Sequence, residues 1–178
     1  AVVGLGGVGL AALLGARAGG ARKIIAVDAN PSKAEVALQL GADHFVDARD
    51  PEAASQIRAL SQGGVELAAE FAGVMPALEL AIAATRRGGR TVTAALPNPN
   101  DRLSLQAATL VTEERALLGS YVGSSVPSRD IPNWLAMYRS GRLPVDQLVS
   151  HEIALPEINE AMERLASGAA IRQIVTFA

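Results

Sequence analysis

Three glycines spaced G-x-G-x-x-G, Gly4, Gly6 and Gly9, lie between the apolar pair Val2-Val3 and a run of small residues. This spacing suits phosphate binding by main chain. The first glycine makes a tight strand-to-helix turn, the second lets backbone approach a pyrophosphate, and the third lets helix and strand pack closely. A helix starting near Val8 aims unpaired N–H groups and the positive end of its dipole at the phosphates, so no basic side chain is required there. Glycine-rich turns also exist only to seat a helix on a strand. The surrounding pattern favours a ligand: a helix over 11–18 follows, then a second strand, Ile24 to Asp28, ending in an acid about twenty residues beyond the last glycine.

A carboxylate at the end of the second strand accepts hydrogen bonds from the adenosine ribose hydroxyls and repels a 2′-phosphate. Asp28 therefore favours NAD over NADP. Lys33, at the start of the next helix, has its ammonium within reach of the same ribose, and is equally well explained as a solvated lysine on a helix face.

The elements that must position these residues follow from the rest of the chain. Its 178 residues, 49% hydrophobic and 19% charged, suffice for one sizeable domain with a buried core. A net charge of −2 and 3% aromatic residues supply neither a basic footprint nor stacking platforms, so nucleic acid is not an expected partner; Arg86-Arg87 with Arg90 reads as a solvated turn. With no cysteine there is no disulfide and no thiolate metal site in these residues, and a cytoplasmic nucleotide-binding protein is the default. The apolar run from Val2 to Leu14 is broken by glycines and lacks the flanks of a signal peptide or membrane helix. A start at Ala1, almost inside the first strand, reads as a piece of something longer.

Helices are expected over 31–40, 51–60, 75–85 and 104–111, and strands over 44–46, 65–71, 90–95 and 116–122, the fifth being apolar enough for burial on both faces. Strands and helices alternating in this way indicate α/β architecture, a doubly wound, mostly parallel six-stranded sheet with its ligand across the carboxyl ends of the strands. Phe71, Ala72, Ala94, Ala95, Tyr121 and Val122 then join the glycines and Asp28. From Ser128 the pattern changes, with a helix to Arg139, a strand over 148–153, a helix over 156–166 and a last strand over 172–177. The chain thus divides into a dinucleotide-binding domain, 1–123, and a carboxyl-terminal appendage, 124–178.

The glycine motif, Val27-Asp28, Gly41-Ala42-Asp43, Glu70-Phe71-Ala72-Gly73 and the ending Ala170 to Phe177 together resemble the carboxyl-terminal half of the zinc-dependent, medium-chain alcohol dehydrogenases. The resemblance covers essentially the whole chain and implies a Rossmann-type domain. It implies that Gly4, Leu5, Gly6, Gly7, Val8 and Gly9 cradle the pyrophosphate while Asp28 and Lys33 hold the adenosine ribose, with Ala29 flanking the adenine. Phe71 and Ala72 would lie against the adenosine half, and backbone at Ala94, Ala95, Ser120 and Val122 near the nicotinamide. Arg172 corresponds to an arginine that reaches the cofactor phosphates, and Leu96 and Tyr121 to substrate-pocket residues. Val74 departs from the family pattern, standing where some relatives carry a cofactor-contacting arginine.

In this family the catalytic zinc is held by two cysteines and a histidine of the amino-terminal domain, none of which is in this chain. Zinc makes the alcohol oxygen alkoxide-like, so these residues alone are expected to bind NAD without turning over an alcohol, aldehyde or ketone. His44 and His151 are too far apart in sequence to suggest a metal site. A zinc-free quinone or enoyl reductase is opposed by Gly4 and Asp28; a non-catalytic NAD-sensing module is compatible with the chain. The resemblance further implies a dimer through the strand near Ala116–Val122, and strands from Leu148 and Arg172 that belong with the catalytic domain and lack partners here.

Calorimetric titration is expected to show NAD binding more tightly than NADP, with the preference reduced in Asp28→Ala. Equal affinities in the parent chain would refute the ribose argument.

Overall fold

Side chains alternate across a strand, and here the alternation sorts the core into two layers. The computed structural model describes residues 1–177. Its strands β1 (Val2–Val3), β2 (Ile25–Asp28), β3 (His44–Asp47), β4 (Val65–Glu70), β5 (Thr85–Thr93) and β6 (Ala116–Gly119) form one parallel sheet in the order β3-β2-β1-β4-β5-β6. Val2 and Ala26 point to one face, where they meet Leu10, Leu13 and Leu14 of helix α1 (Gly7–Ala18) and Ala37 of α2 (Ala34–Gln39). Val3, Ile25 and Val27 point to the other, against Ile57 of α3 (Ala53–Leu60) and Ala77, Ala81 and Ala84 of α4 (Met75–Ala84). β1 is buried on both faces, as the centre of a doubly wound sheet must be.

The chain winds outward from β1 to β3, then returns to place β4 on the other side of β1 and winds outward again. Strand order therefore reverses between β1 and β4, and the carboxyl ends of those two strands flank the crevice where ligands of such sheets bind.

Several elements differ from the sequence expectation. The 31–40 helix opens as a 3-10 turn, Pro31–Lys33, because the Asn30 side chain accepts from the Ser32 N–H at 3.0 Å and holds the entry away from α geometry. The 104–111 helix is α5 (Ala107–Thr112). β5 is not an apolar strand buried on both faces. It starts at Thr85, leaves register while Arg86 to Gly89 bulge outward with Gly88 at φ +67°, and resumes at Arg90 opposite Leu67. The exposed arginines thus belong to a bulge within the strand, and Arg86 pairs with Glu66 at 3.0 Å. β5 also ends at Thr93, so Ala94 and Ala95 lie in the loop beyond it. The sixth strand ends at Gly119, short of the expected Val122, which falls in a 3-10 turn, Val122–Ser124. β6 is nonetheless the sheet edge, with Leu118 exposed on it.

The carboxyl-terminal segment comprises α6 (Pro127–Arg139), β7 (Val149–Ala154), α7 (Ile158–Ala166) and β8 (Arg172–Thr176). Its strands do not lack partners: β7 and β8 pair with each other in parallel, joined by α7 as a β-α-β unit. The unit is anchored on α1. Leu148 is buried in the α1 layer of the core, Leu143 and Ile171 pack against that layer, and the Arg142 guanidinium donates to Ala18 O at 3.2 Å.

Leu148→Ala removes the buried anchor of the appendage. Denaturant unfolding of the purified chain is expected to show a loss of about 2–5 kcal/mol.

Candidate functional site

The loop after β1 is shaped by close backbone contact. Gly4 has φ +88°, donates its N–H to Val27 O at 2.8 Å, and passes so near the turn after β4 that a Cβ on it would lie 2.6 Å from Ala72 N. A Cβ on Gly9 would be driven into the carbonyl oxygen of Gly4. These two glycines are required for α1 to sit on β1. Gly6 differs: its backbone is extended and nothing lies within 4 Å of where its Cβ would be. That open space faces the start of α1, which has no side-chain cap and no acid in its first turn. The first N–H groups of the helix thus meet no side-chain cap, with the positive end of the helix dipole behind them. Leu5 is buried in the core and contributes backbone only, whereas Val8 is exposed. Arg172 reaches the same place, its guanidinium 3.8 Å and Ile171 O 3.1 Å from where a Cβ of Gly7 would stand.

At the end of β2 the Asp28 carboxylate accepts from Leu5 N at 2.6 Å and from Asn30 N at 2.7 Å. It is locked to the glycine loop while remaining partly exposed beside the exposed Ala29. Its register partner on β3 is Asp47, held as an anion at a pKa of about 2 by the hydrogen bond from the Arg49 side chain. The Arg49 charge is spent on Asp47 at 2.8 Å. Lys33 is not a freely solvated lysine. Its ammonium spans from the turn after β2 to Gly168 O at 2.7 Å, tying the β2 end of the crevice to the appendage.

Across the crevice, Phe71 N donates to Val3 O at 2.8 Å and Ala94 N to Glu70 O at 3.0 Å, so the turns after β4 and β5 extend the sheet ladder by one bond each. Ser120 N likewise donates to Thr93 O at 2.9 Å. Beyond it Val122, Gly123 and Ser124 all adopt left-handed backbone, with φ of 50°, 65° and 52°. For a β-branched valine this conformation is strained, and strain of this kind concentrates at binding sites. Leu96 and Tyr121 are 82% and 77% exposed, standing at the rim of the crevice. The structure thus gathers the glycine loop, Asp28, Phe71, Ala72, Ala94, Ser120 and Arg172 along the carboxyl edge of one sheet.

Sequence reasoning missed Glu70. It is 1% exposed at the end of β4, and its Oε1 accepts from Ala72 N and Gly73 N, both at 2.6 Å, while Oε2 accepts from the Thr93 hydroxyl at 2.7 Å. The available signal was an acid in a strand-end position directly before a glycine turn. His44 and His151 lie in β3 and β7, in different sheets, and among the described residues no group of three His, Cys, Asp or Glu side chains is placed to hold a metal.

Residues 7–140 match the family model described as zinc-binding dehydrogenase. The chain belongs to that family. It is 34% identical to a geraniol dehydrogenase of Castellaniella defragrans over 99% of this chain and 48% of the relative, and 35% identical to alcohol dehydrogenase 1 of Trifolium repens over 98% and 47%. The crystal structure of benzyl alcohol dehydrogenase from Acinetobacter calcoaceticus superposes with a TM-score of 0.93 at 33% identity, over 98% of this chain and 48% of that one. The chain therefore spans about half the length of the curated relatives it matches, and it shares its fold with the benzyl alcohol dehydrogenase structure.

The two glycine environments separate folding from binding. Gly6→Ala is expected to leave unfolding free energy within about 0.5 kcal/mol of the parent while weakening NAD binding in a calorimetric titration. Gly9→Ala is expected to abolish the cooperative thermal transition.

Proposed function

We propose that this chain is the NAD-binding half of a zinc-dependent alcohol dehydrogenase. The observation that carries the reading is the uncapped start of α1, open at Gly6 and flanked by the Arg172 guanidinium, with the Asp28 carboxylate locked at the end of β2. A diphosphate fits the first pair of features and a free ribose diol fits the third. A 2′-phosphate would meet the Asp28 carboxylate, and the nearby Arg49 is held by Asp47 rather than free to bind it, which supports NAD over NADP.

Bound NAD supplies a hydride acceptor, and the residues here orient it. The Gly4–Gly9 main chain and Arg172 hold the pyrophosphate; Asp28, with Lys33 released from Gly168 or alongside it, holds the adenosine ribose. Ala29, Phe71 and Ala72 flank the adenosine half, and the backbone of Ala94, Ala95, Ser120 and Val122 takes the nicotinamide end. Leu96 and Tyr121 form one wall of a pocket for a small alcohol, aldehyde or ketone, completed by residues outside this chain. Zinc does not fit the side chains present, since there is no cysteine and no suitable carboxylate or histidine cluster among the described residues. Activation of the alcohol oxygen is assigned to the part of the protein that this chain does not span.

The apolar edge strand β6 supports a dimer in which two such edges pair and two sheets become one. Residues 124–178 are proposed as the segment that leads back toward the catalytic domain, docked on α1 through Leu148.

The purified 178-residue chain is expected to bind NAD in a calorimetric titration and to give no zinc-dependent NAD reduction with primary, secondary or aromatic alcohols. Turnover by the isolated chain would overturn the division of labour proposed here.

A further inference from the structure

Glu70 lies where the strand order reverses, and beside the single backbone bond from Ala94 N to Glu70 O its side chain adds a second link between the turn after β4 and the end of β5. One oxygen gathers the amides of Ala72 and Gly73 in the turn after β4, the turn whose Ala72 lies against Gly4. The other receives the hydroxyl of Thr93, the last residue of β5, immediately before Ala94 and Ala95. Burial is nearly complete, and all three of these partners are neutral donors. A buried carboxylate without a bound cation is expensive, and three donors converging on it mark a position where the geometry is held for a reason.

We propose that Glu70 is a positioning residue for the cofactor: on the β4 side of the crevice it holds the adenosine-side turn, 71–73, and the nicotinamide-side end of β5 in a fixed relation to each other. This rests on reading the crevice as an NAD site. Replacement by leucine takes the acceptor away from two part-buried amides and one hydroxyl, so the turn after β4 and the end of β5 both loosen. Replacement by glutamine keeps all three bonds, because its Oε1 accepts from both amides and its amide nitrogen donates to the Thr93 hydroxyl. Thr93→Val removes only the side-chain link to the end of β5, leaving the backbone bond from Ala94 N to Glu70 O in place and the adenosine-side turn tied to Glu70.

The test is calorimetric titration of NAD and AMP into the 178-residue chain, with thermal melts of each variant. Glu70→Leu is expected to weaken NAD by about tenfold or more and Glu70→Gln by less than about threefold. Thr93→Val is expected to weaken NAD but not AMP, which occupies the adenosine side alone. Thr85→Val serves as the control, since it removes a buried hydroxyl at the opposite end of β5, bonded to Ala81 O and to Thr91, and should lower the melting temperature without changing NAD affinity. The proposal is overturned if Thr93→Val binds both ligands as the parent does or loses both equally, if Glu70→Gln is as weak as a folded Glu70→Leu, or if Thr85→Val weakens NAD comparably. Should Glu70→Leu fail to fold, Thr93→Val and Glu70→Gln decide the matter. A parent chain that binds no NAD refutes the underlying assignment of the site instead.

Discussion

Everything at the carboxyl edge of the sheet depends on how closely α1 is seated on β1. The seat exists because Gly9 has no side chain to strike Gly4 O, and because Gly4 has none to strike Ala72. Close packing of this kind tolerates no added methyl group without displacement of an entire element. With α1 seated, its uncapped amides meet the crevice between β1 and β4. Leu10, Leu13 and Leu14 then enter the core under the same sheet face that holds Val2 and Ala26. The glycines thus serve the core and the ligand site through one geometric requirement.

Polar groups around this seat are arranged as ties between segments distant in sequence. Asp28 binds the glycine loop to the end of β2, Glu70 binds the next turn to β5, and Lys33 binds the 3-10 turn after β2 to the appendage. Each tie uses a charged side chain on main-chain or hydroxyl partners, the class of hydrogen bond that is strongest in a partly desolvated setting. Exposed ion pairs such as Arg49–Asp47 contribute little to stability by comparison.

The fold was legible where periodicity is strong and local. The glycine spacing, the apolar second strand ending at Asp28 and the alternation of strands with helices were enough to anticipate a six-stranded parallel sheet. What sequence could not reveal depends on contacts made at long range. The arginine bulge in β5 follows from a register shift against β4, invisible without the partner strand. The pairing of β7 with β8 requires the crossover through α7, and the left-handed turn at Val122 runs against the preference of a β-branched residue. Within the site, Asp28 and the glycines announced themselves by spacing, whereas Glu70 is distinguished only by burial and by donors supplied from another strand.

The appendage has a consequence for the order in which the molecule can be completed. Lys33 finds its carbonyl partner 135 positions later, and the wall beside Gly7 is made by Ile171 and Arg172. Contacts with such separation form late, because closing a long loop costs entropy that nearby pairings do not. During synthesis the central sheet, with its glycine loop, can assemble well before β8 has left the ribosome. Until β8 is in place the cleft beside Gly7 is only half walled, and any ligand that binds only the finished cleft draws that folding step forward by mass action.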